Sequence, residues 1–396
     1  MYNKILRQYL SIGFAFHFFH SFFFATYTIF LLSHEMSLWQ IGVINAIFMI
    51  SCFVLEIPTG ALADTLGRKF SFVLSYALYA ISSLLYFFAG NFWYFILAEI
   101  IGAFAVAFYS GAWDAWAVDS LNHHNGNTTI LHDVFCKSER LRQLGIMLGV
   151  IVGGYLGNIN LALPWLACAI GMSILTAYAY IIIKEDYFVT KEQTTWWSSF
   201  KNVILHSVKF GIKEKQIFWL IVLSSILMIS VQAPNMYWNI LFQENFDIKP
   251  NKLGFIFAGI SLSILIGNEF SRYLIKKIKY EWLALMLSNF ITAISLIFSS
   301  VLINFWPILL FLLIHEMGRG SFFTLSKTYL QLRLPSSQRA TIDSFNSMMN
   351  KSGAFVGLLV IGRIANDAGI PLAWLMSGLI IILSLPFYFK LKNGDE

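Results

Sequence analysis

Apolar segments long enough to cross a membrane alternate with short polar or glycine-containing breaks along almost the whole chain. A helix needs about 20 apolar residues to cross the ~30 Å hydrocarbon core of a bilayer, and such runs recur throughout the sequence. We number these segments span 1 to span 12 and expect an all-α membrane protein. The predicted spans are 9–32, 40–62, 70–89, 92–118, 139–158, 162–183, 216–241, 251–274, 280–302, 304–328, 339–364 and 370–390.

One long polar interruption divides the spans into two sets of six. The predicted organisation is an N-terminal six-helix bundle at 1–183, a cytoplasmic central linker at 184–215 and a C-terminal six-helix bundle at 216–396. The linker combines aromatic residues with positive charge, a composition typical of an amphipathic helix on the membrane face. A plain solvated linker is the alternative.

Composition excludes an ordinary soluble protein. The chain is 58% hydrophobic and 12% charged, with a mean hydropathy of +0.68, whereas soluble domains are about 25% charged. Most lysines and arginines fall in alternate connections and near both ends, so the positive-inside rule predicts an inner-membrane protein with both termini in the cytoplasm. The net charge of +6 therefore reflects topology, and we expect no nucleic-acid partner.

Glycines recur at a nearly constant separation of about 207 residues, which indicates two related halves. Two related halves with a site at their interface are the architecture of secondary transporters. The repeated pairs are Gly60 and Gly267, Gly111 and Gly318, Gly145 and Gly353, Gly149 and Gly357, and Gly154 and Gly362.

The connection between spans 2 and 3 carries a family motif. Gly60, Asp64, Gly67, Arg68 and Lys69 match the pattern G-x-x-x-D-x-x-G-R-K found at this place in the major facilitator superfamily. The chain resembles a bacterial branch of that superfamily over essentially its whole length. The resemblance implies twelve helices in two pseudo-symmetric bundles, alternating access, a small-molecule substrate and no cofactor. We expect a monomer in the lipid bilayer.

The resemblance also implies a cytoplasmic gate. Arg68 is expected to pair with Asp119 at the inner end of span 4, and Asp64 to meet a helix N-terminus of the other half. Asp114 lies deeper, and either a proton carrier or a member of the gate fits it. The predicted gate consists of Gly60, Asp64, Gly67, Arg68, Lys69, Asp114 and Asp119.

The second half lacks the corresponding loop residues. Ser271 stands at the position of the motif acid, and Leu274 at that of its second glycine. We therefore expect a gate in the first half only.

Small residues repeat along one face of span 5, beginning at Gly145 and Gly149. Close helix packing is the first explanation, because small residues let backbones approach in lipid. The segment also resembles the G-x-x-x-G-P-x-x-G-G motif of drug/proton antiporters, but Val150 replaces the proline. The motif thus gives antiport only slight support.

Several charged groups fall inside predicted spans, where a charge costs about 2.5 to 3.5 kcal/mol on insertion scales. Glu316 and Arg319 are three residues apart and share one helix face. They form either a self-neutralising pair or a proton-exchanging carboxylate beside a cargo-contacting arginine. His17 and His20 also share a face, as structural residues or as proton sites. The predicted proton-coupling residues are Glu316, His17, His20 and Glu56.

Span 7 contains a polar, aromatic segment interrupted by Pro234, which is tolerated in a membrane where the backbone is buried or lines a cavity. By resemblance, spans 1, 4, 7 and 10 line the central cavity. The predicted cavity residues are Arg319, Gln232, Asn235, Trp238, Asn239 and Tyr27.

Other chemistry is excluded by the motifs. His315-Glu316 begins a zinc-protease-like string, but Arg319 occupies the position of the second histidine, so no metal site is expected. The preferred hypothesis is proton-coupled efflux of a small amphiphilic metabolite or drug. An importer of a nutrient or iron-chelate-like solute is the first alternative. A membrane sensor or an integral-membrane enzyme is the second.

Overall fold

The chain folds into long helices at the positions that the hydropathy pattern predicts. The computed structural model describes residues 2–125, 131–185, 214–335 and 339–392, and these ranges contain no β-strand. The helices are α1 (Tyr2–His20), α2 (Tyr27–Ser33), α3 (Leu38–Leu66), α4 (Arg68–Phe88), α5 (Phe92–Tyr109), α6 (Ala112–Asn125), α7 (Leu131–Ile159), α8 (Leu163–Ile182), α9 (Lys215–Ser230), α10 (Gln232–Phe246), α11 (Pro250–Lys277), α12 (Glu281–Val301), α13 (Phe305–Arg333), α14 (Arg339–Ala368) and α15 (Ile370–Ser384).

These helices account for all twelve predicted spans. Within the described ranges, ten helical stretches are long and apolar enough to cross a membrane. The other two spans are α7 and α14, which are 29 and 30 residues long but more polar. The predicted class of a twelve-span, all-helical membrane protein is confirmed.

Three spans are broken into two helices each. Span 1 consists of α1 and α2 with a 3₁₀ turn at Ser21–Phe23 between them, and span 7 breaks at Val231 between α9 and α10. Span 4 breaks between α5 and α6 at Gly111, whose φ of 77° favours glycine. Gly318, its predicted repeat partner, lies inside the continuous helix α13, so these two glycines do not share a conformation.

The connection between spans 2 and 3 is shorter than the hydropathy pattern indicates. Helix α3 continues to Leu66, and α4 begins at Arg68. The only residue between the two helices is Gly67, with φ at 97° and ψ at 153°. A side chain at this φ would be strained, which explains the second glycine of the motif.

Glycines of α7 allow it to pack directly on the backbone of span 1. A Cβ atom at Gly145 would lie 2.9 Å from the carbonyl oxygen of Phe14. The approach is closer still at Gly149, which faces the carbonyl of Phe18, and at Gly153. Close helix packing is therefore confirmed as a role of the small residues in span 5.

The same arrangement occurs in the second half of the chain. Helix α14 packs along α9, with Gly353 and Gly357 against the carbonyls of Ser225 and Ile229. In both halves the two glycines are four residues apart, and so are the two residues whose carbonyls they contact. This spacing is about one helical turn. The repeat read from these glycines thus corresponds to a repeated helix contact.

Two compact units can be distinguished. In the first unit, a Cβ atom placed on Gly254 would lie 2.5 Å from the carbonyl oxygen of Val150. In the second unit, a Cβ atom placed on Gly42 would lie 2.7 Å from the carbonyl oxygen of Leu358. The predicted linker falls almost wholly in residues 186–213, outside the described ranges, so the domain boundaries stay a prediction. The bounds are Met1–Phe30, Val54–Ser199 and Lys249–Ala258 for the first unit, and Leu31–Phe53, Phe200–Ile248 and Gly259–Glu396 for the second.

Alanine at Gly149 or Gly153 should destabilise the protein. The added methyl group would meet the backbone of span 1, and overpacking of this kind costs about 1–3 kcal/mol. The helix-propensity gain of about 1 kcal/mol does not offset that cost. The measurement is the thermal unfolding midpoint of the purified variants.

Gly90→Ala is the matched control, because no atom outside its own chain neighbours lies within 4 Å of a Cβ placed there. Equal midpoints for Gly149→Ala, Gly153→Ala and Gly90→Ala would show that the close packing does not limit stability.

Candidate functional site

A buried ion pair on α13 joins span 10 to span 7. Glu316 and Arg319 are one helical turn apart and form a salt bridge. Arg319 Nη1 also donates a hydrogen bond to Asn235 Oδ1 on α10, with a donor–acceptor distance of 2.6 Å. Glu316 is 2% exposed, whereas the Arg319 side chain is 15% exposed. The arginine therefore links an enclosed carboxylate to a polar group on another span.

His315 is a second ionisable group, besides Arg319, that lies next to the Glu316 carboxylate. Its Nδ1 lies 3.0 Å from the carbonyl oxygen of Thr292, and because a carbonyl only accepts, Nδ1 carries a proton. Its Nε2 lies 3.9 Å from Glu316 Oε1. Glu316 thus lies between a permanent cation and an imidazole. Within the described ranges, no group of three His, Cys, Asp or Glu side chains is placed to hold a metal ion.

Asn235 is the predicted cavity residue of α10 that the structure brings to Arg319. Gln232 donates through Nε2 to the carbonyl of Met228 at 2.8 Å, and Asn239 accepts from the Ile240 amide through Oδ1 at 2.9 Å. Gln232 and Asn239 are nearly fully buried, as is Trp238. Their role as cavity residues stays a prediction.

The predicted gate pair is present in the first unit. Arg68 Nε lies 4.0 Å from Asp119 Oδ2, and the carboxylate side chain is 47% exposed. The Lys69 ammonium lies 5.2 Å from the centre of the Tyr180 ring. Asp114 accepts a hydrogen bond from the Tyr9 hydroxyl at 2.6 Å, which connects it to α1. The predicted positions Gly60 and Asp64 are outside the residues whose side chains are described.

A carboxylate that sequence analysis did not identify caps the N-terminus of α4. Glu185, just beyond α8, accepts from the Arg68 amide through Oε1 and from the Lys69 amide through Oε2, each at 2.9 Å. Helix N-termini leave such amides unsatisfied and favour negative charge. Burial raises the pKa of the Glu185 carboxyl, although the two amide donors act in the opposite direction. The start of α4 is thereby fixed to the end of span 6.

An ion pair of reversed polarity occupies the corresponding helix ends of the second half. Glu281, the first residue of α12, lies 2.7 Å from Arg333, the last residue of α13, measured between Oε2 and Nη1. Spans 9 and 10 are the repeat counterparts of spans 3 and 4, which carry Arg68 and Asp119. An ion pair at these helix ends is therefore not confined to the first half, whereas a gate in the first half only stays a prediction. The loop position itself holds Ser271, whose hydroxyl donates to the Asn268 carbonyl.

The predicted proton-coupling histidines lie in an aromatic cluster. The His20 ring is 4.5 Å from Tyr79 and 5.5 Å from Phe16 between ring centres, and His17 is 4.9 Å from Phe16. Both are half-buried, as is Glu56 on α3. A proton-coupling role for these three residues stays a prediction.

Tyr27 was predicted to line a cavity, and it contacts a carboxylate that was not among the predicted site residues. Its hydroxyl donates to Glu99 Oε1 at 2.6 Å, and the Tyr86 hydroxyl donates to the same oxygen. Trp165 stacks on Tyr86, with 3.9 Å between ring centres. The available signal is Glu99 as the only charged residue in the apolar sequence of α5.

Twelve helical spans with an internal repeat, a broken polar span 7 and an ion pair buried on span 10 define a secondary transporter. The profile of the Major Facilitator Superfamily matches residues 9–249 and 218–396. The chain belongs to the Major Facilitator Superfamily.

Its relatives match over most of their length. The chain is 22% identical over 377 residues to the MFS-type transporter YxaM of Bacillus subtilis (strain 168), covering 93% of this chain and 92% of the relative. It is 20% identical over 340 residues to the quinolone resistance protein NorA of Staphylococcus aureus (strain MSSA476), covering 82% and 80%.

Solved structures share the fold at low sequence identity. The nucleoside transporter NupG superposes with a TM-score of 0.80 at 15% identity, covering 98% of this chain and 99% of that one. A bacterial homologue of the human lysosomal transporter Spinster, inward-facing and occupied, gives a TM-score of 0.79 at 12% identity, covering 97% and 95%. As a member of this family, the chain is a multi-pass membrane transporter of small molecules.

Replacing Glu185 by alanine should destabilise the first unit. Loss of a helix N-cap costs about 0.5–2 kcal/mol, and here two backbone amides lose their acceptors together. Glu185→Gln should cost less, because the amide oxygen retains one acceptor. The measurement is the free energy of unfolding in denaturant.

Glu214→Ala is the matched control. Glu214 directly precedes α9, but its side chain makes no capping hydrogen bond. A Glu185→Ala variant no less stable than Glu214→Ala would contradict the capping role.

Proposed function

We propose that this transporter exchanges protons for a small amphiphilic metabolite or drug and moves that cargo out of the cell by alternating access. In this proposal it is a monomer in the cytoplasmic membrane with both termini inside. The distribution of lysine and arginine among the connections supports that orientation.

The contact between Glu316, Arg319 and Asn235 is the observation that carries the proposal. An ionised Glu316 neutralises Arg319 in a site of low exposure, and removing one partner of such a pair leaves an uncompensated charge. Glu316 takes up a proton when the cargo leaves, so the cargo occupies the site while Glu316 is ionised and paired with Arg319. Proton and cargo therefore favour different states of one ion pair, which is the requirement for exchange.

Outward movement is supported by relatives named for quinolone resistance, because a transporter protects a cell from a drug by expelling it. The high aromatic content, 17% of all residues, suits an amphiphilic cargo. Efflux is thus the better-supported direction.

Glu316→Gln should abolish transport driven by a pH gradient while leaving the protein folded. Glutamine keeps the size and polarity of the side chain but cannot exchange a proton. A loss of about 1.4 kcal/mol in the coupling free energy between proton and cargo corresponds to a factor of ten. We therefore expect the rate of pH-driven transport to fall by about tenfold or more. The measurement is accumulation of a fluorescent quinolone, within a wider panel of amphiphilic compounds, by proteoliposomes under an imposed pH gradient.

Glu269→Gln is the matched control, since Glu269 also pairs with an arginine three residues later but is 69% exposed. It should transport like the wild type. Unchanged pH dependence in Glu316→Gln would remove that residue from coupling. If no panel compound moves under any gradient, the assignment of an amphiphilic cargo fails.

A further inference from the structure

Glu99 is a second buried carboxylate, and it belongs to the first unit. It lies in the middle of α5 and is 9% exposed. Tyr27 on α2 and Tyr86 on α4 donate hydrogen bonds to the same oxygen, Oε1, and their hydroxyls are 3.2 Å apart. One carboxylate thereby joins three helices.

The helices packed around this carboxylate bring no cation to it. No lysine or arginine occurs in α2, α5 or α8, and those of α4, Arg68 and Lys69, are its first two residues. No ion pair of Glu99 occurs in the described part of the chain. Glu316 has Arg319, whereas Glu99 is held by neutral phenols. An ionised carboxylate that is buried without a counter-charge is costly, so uptake of a proton is the available way to neutralise it.

The groups that face Glu99 leave it as the titrating member of the cluster. Tyr27 and Tyr86 are the phenols that contact Glu99. The other titratable side chains of the packed helices, besides Arg68 and Lys69, are phenols and one thiol: Tyr76 and Tyr79 on α4, Tyr94 and Tyr109 on α5, and Tyr178, Tyr180 and Cys168 on α8. The Cys168 thiol accepts a hydrogen bond from Ser83. His20 of α1 contacts Tyr79, which precedes Tyr86 by about two turns of α4. Free phenols titrate near pH 10 and free thiols near 8.5, against about 4.3 for a glutamate.

We propose that Glu99 is a proton-binding site separate from Glu316, with the proton carried on Oε2. Both phenols bind Oε1, so Oε2 is the oxygen left to take the proton. The bound acid keeps Oε1 as a carbonyl acceptor for Tyr27 and Tyr86. One O–H bond forms on protonation, and no other bond changes.

Protonation changes how firmly α2 is held. Hydrogen bonds to an ionised acceptor are about twice as strong as those to a neutral one, so the proton weakens the bonds from Tyr27 and Tyr86. Helix α2 has only seven residues and follows the break in span 1. Proton binding at Glu99 is thus linked to release of α2 from α4 and α5. Only this use in the transport cycle rests on the proposed proton-coupled function.

Infrared spectroscopy of the purified full-length protein tests the site directly. The carbonyl stretch of a protonated carboxylic acid is followed while the pH of the bathing solution is lowered and restored. We expect a reversible band that is lost in Glu99→Gln and retained in Glu316→Gln. Tyr86→Phe and Tyr27→Phe should each shift that band to higher frequency, because the carbonyl oxygen loses one hydrogen-bond donor.

The proposal is overturned if Glu99→Gln removes no titrating band, or if the band that it removes is constant over the whole pH range. If Glu99→Gln does not fold, the frequency shift in Tyr86→Phe decides, and no shift overturns the assignment. The measurement needs no cargo and no gradient. If the proteoliposomes show no pH-driven transport but the Glu99 band is present, the proposed function is refuted and the proton site at Glu99 is not.

Discussion

A charged side chain inside a bilayer must be neutralised by a partner, by a proton or by water, because each unpaired charge costs several kcal/mol. Glu316 is neutralised by Arg319, and Asn235 on a second span accepts a hydrogen bond from the same guanidinium. Glu99 is held by two phenols without a cation among the described contacts. The pair of Glu269 and Arg272 differs from these buried groups, because both of its side chains are exposed and water screens their charges. Both enclosed carboxylates are thus groups whose protonation would change the energy of the protein.

Close backbone packing fixes the helices that surround these groups. Glycines of α7 and α14 lie on the carbonyls of α1 and α9, so the first segment of spans 1 and 7 has a tightly packed neighbour. Both spans then break, and the segments that follow carry Tyr27 and Asn235. Each broken segment is therefore attached to an ionisable group by hydrogen bonds that depend on charge.

The helix ends carry a second set of electrostatic contacts. Arg68 and Asp119 in the first unit have a counterpart of reversed sign in Glu281 and Arg333 in the second. Glu185 adds a carboxylate that caps α4. These contacts lie in partly exposed positions, so each contributes modestly and can be broken during a transport cycle.

Local features of this chain could be predicted from the sequence, and long-range contacts could not. The spans follow from apolar run length, and the pairing of Glu316 with Arg319 follows from helical spacing. The contact of Arg68 with Asp119 came from family resemblance. Tyr27 and Glu99 are 72 residues apart, and Arg68 and Glu185 are 117 apart, so no local pattern pairs them. The break in span 1 contains neither glycine nor proline at Ser21–Phe23, which is why hydropathy misses it.

The central claim is that proton and cargo act on one ion pair, that of Glu316 and Arg319. The most direct test compares net transport with exchange in proteoliposomes that contain wild type or Glu316→Gln. With a compound that the wild type carries, the variant should still exchange internal for external cargo, because this exchange uses only the loaded carrier and needs no proton. It should not accumulate cargo under a pH gradient. Accumulation by the variant at the wild-type rate would contradict the account.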